Sequence, residues 1–247
     1  MEIEFFTDPD RYKMLPPPVP ASKAMPEWWY KAQGTLVDET EEYWREEGRP
    51  SQGTFKRCQP FTDALRTGYI IPLWRDIAFA NRSFDPDIKN IDLNWGRSPY
   101  EEAERKPWAS WAGIEGVDKL IPESSFSLSS PWIIRTPPGY SCYFTAPING
   151  ENPHIRLFSG IVNTDTYFNR INFFFGFREN SPAHGIFKRG MPLVQIIPFK
   201  REEWTSSINP LMPNTEEVYN YQNVDNGVTS VYTGGYKSQH GCPVKFK

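Results

Sequence analysis

Turn spacing limits this chain more than any other feature. Between residues 131 and 204, short β-rich runs are separated by Pro138-Gly139, Asn149-Gly150 and Arg189-Gly190. Proline presets φ in such turns, and glycine accepts a positive φ at little steric cost. The expected strands are Trp132–Arg135, Tyr140–Thr145, Ile155–Thr164, Ile171–Phe177 and Leu193–Phe199. No helical periodicity lies between them, which excludes a βαβ sheet. A mainly β chain with minor α content is expected, its core a clip-like, distorted β-barrel.

The flanking sequence suggests a wrap around that core. Glu2–Phe6 alternates as a first strand, and Leu15–Pro20 is a proline-rich extended segment. Pro26–Lys31 places proline where a helix tolerates it and predicts a short aromatic helix. Because Trp28, Trp29 and Tyr30 are consecutive, they cannot all face one core, so at least one should line a pocket or an interface. Asp38–Glu47 reads as a solvated acidic run. Pro60–Arg66 predicts a helical turn closed by Gly68, followed by β-type runs at Tyr69–Trp74 and Ile77–Ala80. Ile88–Trp95 alternates with a period of two, Glu101–Arg105 suits a short helix, and Thr215–Asn223 suits another. The whole, 1–247, reads as a single domain: a Pro/Trp-rich wrap at 1–67, a clip-like core at 68–204 and an extension at 205–247.

Composition narrows the function classes. A net charge of −3 provides no basic field to draw nucleic acid or anionic lipid. No run approaches the apolar length of a membrane span, and Met1–Phe6 carries acids where a signal peptide needs basic residues, so a cytoplasmic protein is expected. Cys58, Cys142 and Cys242 are odd in number and far apart, which argues against a disulfide framework. His154, His184 and His240 are isolated, and no metal-ligand spacing occurs. No cofactor or metal is expected. Neither a P-loop nor a nucleophile elbow nor a dinucleotide fingerprint is present. Lys56-Arg57, Lys188-Arg189 and Lys200-Arg201 cap strand ends in solvent or, if they converge, form an anion site.

Three stretches carry a resemblance. PPGYSCYFTAPING, GIVNTDTYFNRINFFF and IFKRGMPLVQIIPF lie in the order and pattern of the dUTPase and dCTP deaminase superfamily, over about 70 residues. The phrases ASKAMPEWW, CQPFTDALRTGYIIPL, RTPPGYS and PLVQIIPFKREEW are also similar to a family found in tailed phages and some bacteria. The first resemblance implies a β-clip core, a nucleotide-like ligand and a homo-oligomer, a trimer by analogy. Its catalytic pattern does not carry over. Where the superfamily holds phosphates with Arg-Ser-Gly, this chain has Ala146-Pro147-Ile148-Asn149-Gly150. Asn163 stands at the water-activating aspartate, and an amide is no general base. Asp165 could replace it in a shifted register, and Gln195 matches the nucleotide-side glutamine.

The leading expectation is therefore a small-ligand protein without turnover, binding or sequestering a nucleotide-like or other anionic molecule and having no catalytic residues. Asn163, Asp165, Tyr167 and Gln195 are expected to line one polar groove, with Arg135 and Arg170 as anion partners. One alternative is a phage structural or interaction protein that docks a partner through the Trp/Pro-rich N-terminal segment. The other is a divergent nucleotide hydrolase or deaminase-like enzyme acting through Asp165, Arg135 and Gln195.

Overall fold

The computed structural model describes residues 1–34, 54–80, 83–84, 126–178 and 181–210. The runs expected at Asp38–Glu47, Ile88–Trp95, Glu101–Arg105 and Thr215–Asn223 lie outside these residues. The described residues are mainly β, with twelve strands and two short α-helices. The chain divides into two compact units: residues 1–24 with 68–201, and residues 25–67 with 202–247. This partition places residues 1–24 with the strands and not with the aromatic segment that follows them.

All the described strands belong to the first unit, in three antiparallel sheets that do not join into a closed barrel. One sheet runs β1 (Glu4–Phe6), β6 (Phe126–Arg135), β10 (Arg170–Phe177), β8 (Ile155–Leu157). The largest runs β2 (Val19–Pro20), β3 (Tyr69–Pro72), β12 (Pro192–Lys200), β7 (Tyr140–Thr145), β9 (Gly160–Val162). A third runs β11 (His184–Phe187), β4 (Ile77–Ala80), β5 (Ser83–Phe84). Side chains from all three share one core, in which Ile71, Ile134, Phe175, Val194 and Ile196 are fully buried.

The aromatic run of β10 follows strand alternation. Ile171, Phe173, Phe175 and Phe177 point into the core, whereas Asn172 is exposed and Phe174 half-exposed. Expected as one strand, 155–164 is two. β8 pairs with β10 and β9 with β7, so the chain changes sheets at Phe158-Ser159. A bulge in β6 opposite Arg170–Asn172 is closed locally, because Ser130 Oγ accepts from Trp132 N and donates to Trp132 O. β2, the end of the proline-rich segment, pairs with β3 at the sheet edge, the place a sheet tolerates proline.

Gly68, Gly139 and Gly190 have φ of 75°, 83° and 86°. Gly68 has a second constraint, since a Cβ there would lie 1.9 Å from Ile196 O. In the second unit, α1 (Glu27–Lys31) follows Pro26, and α2 (Gln59–Arg66) has proline in its first turn. Met25, Trp29 and Leu65 form a small buried cluster capped by Phe61.

Candidate functional site

The six residues expected to line one groove do not converge. Five lie on or against the loop that follows β9, and the sixth is elsewhere. Gln195 is buried in β12 opposite Thr145, where its Oε1 accepts the Ile148 backbone N–H at 2.7 Å. Asn163 Oδ1 instead accepts from Ser141 Oγ at 2.8 Å. Ser141 and Thr145 stand four positions apart on β7. At about 3.3 Å per residue, the β7 position opposite Gln195 and the one bonded to Asn163 are about 13 Å apart along the strand. Gln195 fixes the 146–150 turn, and Asn163 fixes the β7 entry.

Asp165 is the centre of a polar clasp. Its side chain is 5% exposed, and its Oδ2 accepts the Gly139 N–H at 2.8 Å. The Arg201 guanidinium meets both carboxylate oxygens, with Nη1 2.8 Å from Oδ1 and Nη2 on Oδ2. Nη1 of Arg201 also donates to Tyr140 O and Ser141 Oγ, each at 2.9 Å, and its backbone N–H donates to Gly139 O at 2.8 Å. The Arg201 hydrogen bonds, with help from the Gly139 N–H, hold the Asp165 carboxyl down to about 2. A carboxylate so stabilised is a poor proton acceptor, and its oxygens are already engaged. Beneath the clasp, Thr136 and Thr164 hydroxyls lie 2.7 Å apart, and Thr164 Oγ1 donates to Cys142 Sγ at 3.3 Å. Burial pushes the Cys142 thiol up to about 11, so it stays protonated at neutral pH.

Arg135 faces the other side of the same loop. It makes a two-pronged ion pair with Glu4, with Nε 2.7 Å from Oε2 and Nη2 3.0 Å from Oε1. Its guanidinium sits 4.6 Å from the Phe6 ring and 5.7 Å from Phe168. The pair lowers the Glu4 carboxyl, chiefly through the Arg135 hydrogen bonds. Tyr167 is half-exposed and donates its backbone N–H to Asn163 O at 2.8 Å. Arg170 begins β10 with its N–H on Asn169 Oδ1 at 2.7 Å. Arg135, Asp165 and Gln195, the set a divergent enzyme would need, have separate partners: Glu4, Arg201 and the Ile148 N–H.

Sequence reasoning missed Arg201, Ser141 and Thr136. Arg201 appeared only as half of a basic dipeptide after a strand, and nothing in its spacing ties it to Asp165. The basic dipeptides of the first unit do not meet. Lys188-Arg189 is held by Asp76 before β12 and Lys200-Arg201 ends that strand, about 26 Å away at strand rise. Among the described residues, no three His, Cys, Asp or Glu side chains gather as a metal site. Nor is any helix among them long and apolar enough to cross a membrane.

Two open grooves lie away from the clasp. One, of about 390 Å³, runs between β8 and the 145–151 turn. The other, of about 370 Å³, has walls of Phe79, Ile186, Phe187 and Met191 beside His154 and Lys188. The second unit has an aromatic surface. Phe61 stacks with Phe55 at 5.3 Å and with Trp29 at 6.2 Å, and meets Trp28 edge-on at 6.2 Å. Trp29 is buried, whereas Trp28 is 43%, Tyr30 64% and Phe55 73% exposed. Lys56 Nζ donates to Ala32 O at 2.8 Å and lies 5.9 Å from the Trp29 ring.

No family model and no curated protein matches the chain. Solved structures similar to it include the native dUTPase of EIAV, at 11% identity and a TM-score of 0.32, over 60% of this chain and 86% of that one. A mutant dUTPase from phage phi11 of S. aureus is similar at 10% identity and a TM-score of 0.29, over 60% of this chain and 84% of that one. At these TM-scores the likeness assigns no residue a role.

Proposed function

We propose that the protein is an interaction module, docking a protein partner through the aromatic surface of its second unit. The observation that carries this reading is the Trp28–Phe55–Phe61 cluster. Phe55 is stacked on Phe61, which is itself tied to buried Trp29, so an exposed ring is held in a fixed position. Ordered aromatics left in water are what interface hot spots are made of, because little entropy remains to be lost on docking. The Lys56 ammonium held against Trp29 lies beside the cluster, which favours a partner whose apolar cleft has an acidic rim. The clasp residues satisfy one another, so they serve this reading better than one in which they hold a ligand.

Site-specific photo-crosslinking tests the proposal. A photoreactive phenylalanine analogue at position 55 of the full chain should crosslink to one discrete partner species, and Trp28→Glu should abolish the adduct without changing the thermal midpoint. The same probe at exposed position 161 should give no such adduct. Equal crosslinking from positions 55 and 161, or an adduct indifferent to Trp28→Glu, overturns the reading.

A further inference from the structure

The groove between β8 and the 145–151 turn brings two guanidinium groups to one wall. Arg156 is on β8 opposite Gly176, and Arg178 directly follows β10, so alternation puts both on the same face, where both line the groove. Arg178 is anchored: its N–H donates to His154 O at 2.9 Å, its Nε to Ile155 O at 3.3 Å, and its Nη2 pairs with Glu151. Arg156 rests 5.6 Å from the Phe158 ring and has no ion-pair partner among the described residues. On the opposite lip, Ser159 Oγ donates to Thr145 Oγ1 at 3.0 Å, which leaves the Thr145 hydroxyl hydrogen uncommitted. Among the described residues that line the groove, two guanidiniums face one carboxylate, Glu151.

We propose that this groove binds a small multivalent oxyanion, held by the Arg156 and Arg178 guanidiniums and the Thr145 hydroxyl. Planar guanidinium forks match the paired oxygens of phosphate or carboxylate groups, and a positive site of about 390 Å³ is within the usual range for a small metabolite. Glu151 serves as the orienting partner of Arg178 and opposes the ligand's charge. The side of the site that faces Arg156 is thereby made the stronger anchor.

Calorimetric titration of the full chain with pyrophosphate and, separately, with citrate tests this and tells phosphate from carboxylate ligands. One of the two should bind at a single site, with affinity falling as salt rises. Arg156→Ala should weaken that binding roughly tenfold, the equivalent of one charge-assisted contact. Arg156→Lys should restore only part of it, because the charge remains but the fork is lost. Glu151→Gln should strengthen binding, a change of sign that a purely structural role for Glu151 would not produce. Lys13→Ala, on an exposed residue elsewhere, should leave affinity unchanged. Absence of binding by both probes at millimolar concentration overturns the proposal. So does binding that Arg156→Ala leaves intact or that Lys13→Ala weakens as much.

Discussion

The Asp165 carboxylate and the Arg201 guanidinium meet in a geometry that turns one acid into a pH-dependent fastener. Its folded value, about 2, lies below the roughly 3.9 of an unfolded aspartate. A depressed folded value gives stability that is fully present above the unfolded value and is lost as pH falls through the folded one. Asp165→Asn should therefore melt lower than the wild type at pH 7. The gap between their thermal midpoints should close between about pH 4 and pH 2. A gap that persisted at pH 2 would mean that the carboxylate's charge is not what fastens the loop. Little of this was legible beforehand. The sequence offers Asp165 as a groove residue, or as a base in a shifted register, and gives no sign of Arg201 because that partner lies 36 residues away. Asn163 and Gln195 were recognised as polar residues with defined work. That work is to hold β7 and the 146–150 turn: exposed Asn163 takes the Ser141 hydroxyl, and buried Gln195 must satisfy the backbone N–H that lies nearest it.

Among the elements, the glycine turns were the most readable part of the chain. The dipeptide chemistry at Gly139 and Gly190 announces a positive φ, and both have one. At Gly190 nothing lies within 4 Å of a built Cβ, so only backbone strain opposes a larger residue. Gly190→Val should lower stability by about 1 kcal/mol, read from chemical denaturation. Gly68→Ala should cost more, about 3 kcal/mol or above, because strain is joined by a clash with the Ile196 carbonyl. Equal costs at the two positions would show that the approach to β12 relaxes away. Periodicity located β3, β4, β7, β10 and β12 because each alternates or carries a β-branched and aromatic run. It merged β8 with β9, since a strand that leaves one sheet and joins another keeps its apolar pattern through the change. It also passed over β11, His184–Phe187, whose exposed residues outnumber its one buried side chain. Short edge strands of that kind have almost no pattern of their own.

On the scale of the whole molecule, the described residues from 201 to 210 are all exposed, with Trp204 at 87% and Ile208 fully bare. An extended, solvated stretch of this sort is the preferred substrate of a protease. Brief chymotrypsin treatment of the native chain should cut after Trp204 and leave the strand-rich part intact, which intact-mass measurement will show. Survival of the 204–205 bond while core strands are cut would contradict the exposure. The strand pattern ends near Trp204, but the pairing of residues 4–6 with β6 leaves no mark in the sequence, because it spans more than a hundred residues. The Arg201 clasp acquires a mechanical meaning at this scale. A pull transmitted through residue 202 reaches Arg201 before it reaches β12, and is there divided among Gly139, Tyr140, Ser141 and Asp165. Such a force must break several contacts at once in shear before it can peel the sheet one rung at a time. The clasp acts as the strain relief of a cable, sparing the weave from a load on the last strand's end.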